Sequence, residues 1–337
     1  MTASATLDEP LLFERILLEK VWGGRALERA IGVRIPDGGR IGETWELADR
    51  EDRNSVVARG RFRGRTLGEL MAQHAEEILG RAPAAADGRF PILVKYLDAR
   101  ENLSVQIHPH RGIAHALPQG HAPKTECWYV LAAEKDGGIW LGLRSAVEPD
   151  RLASEASGPG IVALLSWYRA EPGQFYFVPG GTIHAIGAGV ALVEIQENSD
   201  TTYRMYDWGR AGLDGKPRET HLDAALRCVR TTPAARKPRR PYRRGLAGAN
   251  DLNKQAVCVE APEFSVHLLE LVSGISSSTD GTPTIYVVLD GEGKIARGGN
   301  AWTLAVGETW LVPACLGEHA IEPNERLRLL RVRANAR

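Results

Sequence analysis

Apolar positions recur along this chain with two periods. From Phe90 onward, short runs rich in Val, Ile, Leu, Tyr and Trp follow one another: PILVKYLDA, NLSVQIHP, ECWYVLAA, GIWLGL, QFYFVPGG and GVALVEIQ, each bounded by Gly, Pro, Asn or Asp. Runs of this length between turn formers read as strands, and their spacing predicts an antiparallel sandwich or barrel. Shorter strand-like fragments lie earlier, at Leu11 to Leu18, Gly42 to Leu47 and Asn54 to Val57. Helical spacing occurs over Thr66 to Leu79, where Leu67, Leu70, Met71, His74 and Ile78 share a face behind a Thr-x-x-Glu capping box. It occurs again over Glu219 to Val229, where Leu222, Ala225, Leu226 and Val229 align. His74 is placed on the flank of the first helix, with no partner nearby in sequence and no chemistry assigned to it.

A dense basic segment interleaved with Pro, TTPAARKPRRPYRRG, interrupts this pattern. It reads as a solvated linker, because a short run broken by Pro cannot lay down a continuous basic face for nucleic acid. The expected organisation is therefore a domain over 1–230 that includes both helices, a linker over 231–250, and a second domain over 251–337.

Strand-like runs return after the linker as FSVHLLEL, TIYVVLDG, AWTLAV, ETWLVPA and LRLLRVR, and together they look like a worn copy of the first set. Residues 172–186 align with 306–321, residues 126–131 with 284–289, and residues 103–108 with 264–269. In that alignment Gln106, His108 and Glu126 become His267, Leu269 and Thr284, so the second copy is expected to bind no metal.

Composition narrows the function. Lys plus Arg equals Asp plus Glu at 42 each, which removes a global electrostatic argument for nucleic acid or a membrane surface. The 36 Gly and 19 Pro disfavour a helical bundle. The four cysteines are scattered without metal or redox spacing, and the N-terminal segment lacks a basic stretch followed by an apolar one. The expectation is a cytoplasmic protein with reduced thiols and no membrane association.

Candidate chemistry sits in the first set of strands. Gln106 and His108 are two apart on a strand and share a face, opposite Val105 and Ile107. Glu126 opens an apolar strand, and His184 follows the VPGGT turn. A lone strand histidine is commonly a hydrogen-bonded core residue, but four such polar residues, absent together from the second copy, point to a metal. Two His and a carboxylate with an open position suit catalytic zinc, and non-haem iron accepts a similar set.

The segments KVWGGR, GETWE, LVKYLDARENLSVQIHPH, KTECWYVL and FYFVPGGTIHAIGAGVALVEIQENSDTTYRMYDWGR, in this order and spacing, resemble class I phosphomannose isomerases of the short bacterial form. The resemblance implies a mainly β fold of two cupin (jelly-roll) β-barrels with a few short helices. It also implies conversion of mannose 6-phosphate to fructose 6-phosphate with one zinc ion per chain. By the same resemblance His108, Glu126 and His184 match metal ligands, Gln106 a further ligand of some members, Arg204 the active-site arginine and Lys124 a lysine near the substrate. Trp22, Glu43, Ser104, Glu194, Asp200 and Arg210 match pocket residues, with Ser104 and Arg210 as phosphate contacts. His110 stands where the family more often has Asp or Asn, and reads as surface or adjacent to the ligands; His115 and His121 in the following loop offer another metal position. The general base stays open among Asp200, Glu194, Glu43 and a metal-bound water. An Fe(II)-dependent cupin dioxygenase and a non-catalytic sugar-binding regulator are the alternatives; the Arg204 segment and intact site residues argue against them. A monomer or weak homodimer is expected.

Overall fold

The computed structural model describes residues 6–230, 237–246 and 252–335. Residues 231–236 and 247–250 of the expected linker lie outside the described residues. The architecture is mainly β, with few and short helices. Two compact units are formed: residues 17–45 with 93–240, and residues 1–16 with 46–92 and 241–337. The helix predicted from the capping box thus belongs to the same unit as the last hundred or so residues, although chain order groups it with the strands that flank it.

In the unit of residues 17–45 and 93–240, a six-stranded sheet runs Ile16–Gly24, Ile41–Leu47, Ile92–Ala99, Val190–Glu197, Glu126–Ala133, Phe175–Val178. A five-stranded sheet runs Tyr203–Tyr206, Val105–Ile107, His184–Ile186, Gly138–Leu143, Leu165–Arg169. Their facing sides share one core, to which the first sheet contributes Leu97, Trp128, Val130 and Leu192 and the second Ile139, Leu141 and Ile186. The outer side of the five-stranded sheet is covered by short helices. Val105, Ile107, Ala185, Tyr203 and Met205 pack there against Leu152, Ile161, Ala225 and Cys228. Because strand side chains alternate, burying Val105 and Ile107 under helices turns Gln106 and His108 into the space between the sheets. The helix expected over 219–229 spans Leu222–Cys228. Apolar spacing did not reveal the short helices Ala26–Ile31, Pro149–Glu155 and Gly160–Leu164, which are too brief to show a period. Asn54 to Val57 forms isolated bridges rather than a strand.

The other unit holds a nine-stranded sheet among the described residues and the helix Leu67–Leu79. The Thr66 hydroxyl accepts from the Glu69 amide at 3.1 Å, and the Glu69 carboxylate accepts from the Thr66 amide at 2.9 Å. His74 is not a flank residue: it is buried, its ring meets Phe62 edge-on, and it pairs with Glu77 one turn on.

The register of this sheet tests the internal repeat. Glu126 pairs with Val178 in the first copy and Thr284 with Val312 in the second, as the alignment of those segments requires. His184 and His319 each donate through Nδ1 to the carbonyl two residues back, both at 2.9 Å. The third alignment is overturned. Gln106 lies opposite His184, whereas His319 lies opposite Ser277, so the counterpart of Val105–Ile107 is Ile275–Ser278 and not the strand holding His267. The similarity of LSV to FSV misled because both fit any buried strand; pairing partners fix the correspondence. Gln106, His108 and Glu126 therefore have Ser277, Thr279 and Thr284 as counterparts. The surviving His319 meets the Tyr286 phenol at 2.8 Å through Nε2, a neutral partner instead of a ligand set.

The capping box gives a stability test. Thr66→Ala should lower the unfolding free energy by about 1 kcal/mol, read as a fall in the urea midpoint with the slope unchanged. An unchanged midpoint would mean that the cap contributes nothing to the folded unit.

Candidate functional site

Three adjacent strands bring the candidate residues into a row. Arg204 lies opposite Gln106, and Gln106 opposite His184, so all three side chains leave the same face of the five-stranded sheet. The VPGG turn makes this register possible. Gly181 has φ of +86°, and a Cβ on Gly180 would lie 2.4 Å from the Pro109 carbonyl oxygen. Across the space, Glu126 and Glu194 project from the six-stranded sheet, where Glu194 is opposite Trp128.

His108, Glu126 and His184 converge, with their ligand atoms all within 4.8 Å of one another. His108 Nδ1 donates to the Thr201 carbonyl at 2.8 Å and His184 Nδ1 to the Thr182 carbonyl at 2.9 Å. These bonds fix the tautomers, so both Nε2 atoms present lone pairs to the Glu126 carboxylate, at 3.4 and 3.3 Å. Lone pairs facing carboxylate oxygens repel unless a cation lies among them. Ligands about 2.1 Å from a tetrahedral ion stand roughly 3.4 Å apart, which these separations match. The Gln106 amide nitrogen lies 3.3 Å from His184 Nε2, and its oxygen accepts from the Ser104 hydroxyl at 3.0 Å. The group can bind a metal ion, and among the described residues it is the cluster of His and carboxylates with suitable geometry. His110 instead caps the 3-10 turn Arg111–Ala116 by accepting from the Gly112 amide, and His121 meets the Tyr203 hydroxyl at 2.7 Å.

Charge is packed densely around the group. Lys124 Nζ is 2.7 Å from Glu126 and 3.6 Å from Glu194. Lys95 stands 3.6 Å from both Glu43 and Glu194 and 3.8 Å from Asp200, and Lys20 stands 3.2 Å from Glu43. Burial would raise the Glu126 carboxyl, but above all the Lys124 charge holds it well below the usual range. Burial would lower Lys124, and its neighbouring carboxylates raise it instead. Burial takes His184 down to about 4, so its imidazole is neutral near pH 7. For Glu43, the lysines overcome burial and bring the carboxyl to about 2. Glu194 is the exception: burial pushes its carboxyl up, and the lysines do not reverse that.

A cavity of about 250 Å³ opens onto this cluster. Of the residues singled out from sequence, Trp22, Glu43, Ser104, Gln106, Lys124, Glu194, Asp200 and Arg204 line it. His108, Glu126 and His184 sit behind that lining, in contact with Lys124 and Gln106. Arg210 is not in the lining; it donates to Asp207 at 2.9 Å and lies 3.7 Å from Glu101. Sequence reasoning missed Lys20, Lys95, Thr202 and Arg218, which also line the cavity. Lys95 had a usable signal, a single cation inside the otherwise apolar run PILVKYL. Arg218 had none, because a loop residue carries no periodicity.

Comparison with known proteins agrees with this geometry. Residues 12–133 match the family model for the phosphomannose isomerase type I catalytic domain. The chain is 36% identical over 317 residues to mannose-6-phosphate isomerase ManA of Bacillus subtilis, covering 93% of this chain and 96% of that protein. It is 33% identical over 307 residues to mannose-6-phosphate isomerase of Streptococcus mutans, covering 90% and 92%. The crystal structure of mannose 6-phosphate isomerase from Bacillus subtilis superposes with a TM-score of 0.86 at 29% identity, over 96% of this chain and 99% of that one. A variant of phosphomannose isomerase from Salmonella typhimurium shares the fold, with a TM-score of 0.74 at 18% identity over 97% and 100% of the two chains.

Removing one imidazole tests the group as a metal site. His108→Ala should bind divalent metal at least tenfold more weakly than the wild type in a chelator competition. Wild-type affinity in that variant would move the site elsewhere, with His110, His115 and His121 the next residues to examine.

Proposed function

This chain belongs to the type I phosphomannose isomerase family, and we propose that it interconverts mannose 6-phosphate and fructose 6-phosphate with zinc through an enediol. The observation that carries this reading is the buried His108–Glu126–His184 group behind a cavity lined by cations and carboxylates in alternation. When bound by these three residues, with Gln106 beside them, zinc supplies a fixed positive charge for the sugar oxygens on C1 and C2. The rest of the chemistry falls to the chain's own groups.

Moving a hydrogen between C2 and C1 requires a base that removes a proton from one carbon and returns it to the other. Glu43 is a weak base, since its lysine partners bring its carboxyl to about 2. Glu194 suits the task better, because burial raises its carboxyl toward the working pH and it lines the cavity. The Trp128 indole donates to its other oxygen at 3.2 Å and fixes the carboxylate plane. Lys124 and Arg204 meet the negative charge that develops on the enediol oxygens. Arg204 is pre-set for this, since one guanidinium nitrogen donates to the Glu219 carbonyl at 2.6 Å. Trp22 and Trp128 wall the cavity and keep water from the intermediate.

The zinc-loaded protein should form fructose 6-phosphate from mannose 6-phosphate in a coupled assay; no turnover would end this reading. Arg204→Ala should lower kcat by about 10² to 10³, or roughly 3 to 4 kcal/mol, with metal content unchanged. Arg204→Lys should recover little, since an ammonium lacks the planar fork of donors. A tenfold rise in KM at constant kcat would instead make Arg204 a ground-state anchor.

A further inference from the structure

After the strand Tyr203–Tyr206, the chain makes a tight excursion that returns a second guanidinium to the cavity. Trp208, directly after Asp207, has φ of 60°, a left-handed conformation that a bulky residue adopts only when its surroundings hold it there. Its indole donates to the Leu103 carbonyl at 2.7 Å, and its ring lies 5.3 Å from Trp140 and 5.4 Å from Tyr206. The excursion is closed by the Ala211–Pro217 bridge and a 2.6 Å bond from the Gly212 amide to the Lys216 carbonyl. It ends at Arg218, whose guanidinium forks onto Asp207: Nε donates to Oδ2 at 2.7 Å and Nη2 to Oδ1 at 2.6 Å. A fork of this kind fixes the plane of the group and leaves Nη1 for another partner.

Two features mark what that partner is. Around the metal-binding group, Lys20, Lys95 and Lys124 are matched by Glu43, Glu126, Glu194 and Asp200. Arg204, Arg210 and Arg218 gather about one buried carboxylate, Asp207; Glu219 is mostly exposed and Glu101 lies 3.7 Å from Arg210. This group carries surplus positive charge, and among the described residues Arg204 Nε and Arg210 Nε are both buried there without a hydrogen-bond partner, so what separates the arginines is their place relative to the cavity. Only Arg204 and Arg218 of the three line the cavity.

We propose that Arg218, rather than Arg210, is the residue that holds the phosphate of the sugar phosphate, and that Asp207 positions it. This rests on the sugar-phosphate reading given above. A phosphate dianion is the chemistry that suits a guanidinium whose plane Asp207 fixes at the cavity wall, in a group with surplus positive charge, since its oxygens accept several charge-assisted hydrogen bonds at once. Arg210, engaged by Asp207 outside the cavity lining, supports the potential without touching the ligand.

Steady-state kinetics on the zinc-loaded full chain test this. Arg218→Ala should raise KM for mannose 6-phosphate on the order of 10- to 100-fold and weaken inhibition by inorganic phosphate by a similar factor, with a smaller change in kcat. Asp207→Asn should shift KM in the same direction, and Arg210→Ala should shift it less than Arg218→Ala. A KM within twofold of wild type for Arg218→Ala, or a larger shift for Arg210→Ala, overturns the proposal. A measurement on wild type avoids any folding defect: inorganic phosphate should protect Arg218, and not Arg210, from phenylglyoxal, read by peptide mass spectrometry. Labelling of Arg218 that phosphate does not slow also overturns it. Because protection is read without turnover, it separates failure of this assignment from failure of the isomerase reading, which the wild-type assay alone decides.

Discussion

Burying the Glu126 carboxylate is the constraint around which the rest of this unit is arranged. The residue has no exposed surface, and an isolated charge in such a place costs several kcal/mol even after relaxation. Lys124 at 2.7 Å supplies one compensating charge, and the two imidazoles present lone pairs where a second cation belongs. The backbone is committed to that geometry. The Thr201 and Thr182 carbonyls hold both rings by Nδ1, and two glycines shape the turn before His184. Val105 and Ile107 lock the strand by packing beneath the helices. A shift of one residue in that strand would bury Gln106 and His108 under the helices and expose apolar side chains to the site.

The second copy illustrates the same constraint released. With Thr284 in place of the carboxylate, that position carries no charge to compensate, and His319 Nε2 meets a phenol. Tyr286 stands at the position of Trp128 and bonds both Ser277 and His319 at 2.8 Å. The imidazole keeps its Nδ1 bond to the carbonyl two residues back, so the turn geometry persists after its chemistry has gone. The fold therefore tolerates loss of the ligand set when a neutral hydrogen-bonded group replaces it.

Much of this was legible in the sequence because period-two alternation encodes which side chains share a space. The same-face rule for Gln106 and His108 and the position of Glu126 at a strand start follow from local pattern, and their resemblance to a known family extended it to Arg204 and Lys124. What was not legible depends on pairing between distant segments. The LSV and FSV strands look alike because both are buried, yet they occupy different places in their sheets. Arg218 was invisible because its role comes from a loop returning to Asp207 across eleven residues. His74 was misplaced although its spacing put it on the face of Leu67, Leu70, Met71 and Ile78, which is the buried face of the helix.

Anomalous diffraction from crystals of the zinc-loaded chain tests the central claim most directly. The account predicts one peak per chain, with His108 Nε2, His184 Nε2 and a Glu126 oxygen within about 2.0 to 2.2 Å of it. A peak at His115 or His121, a second peak at His319, or no peak between the two imidazoles would contradict it.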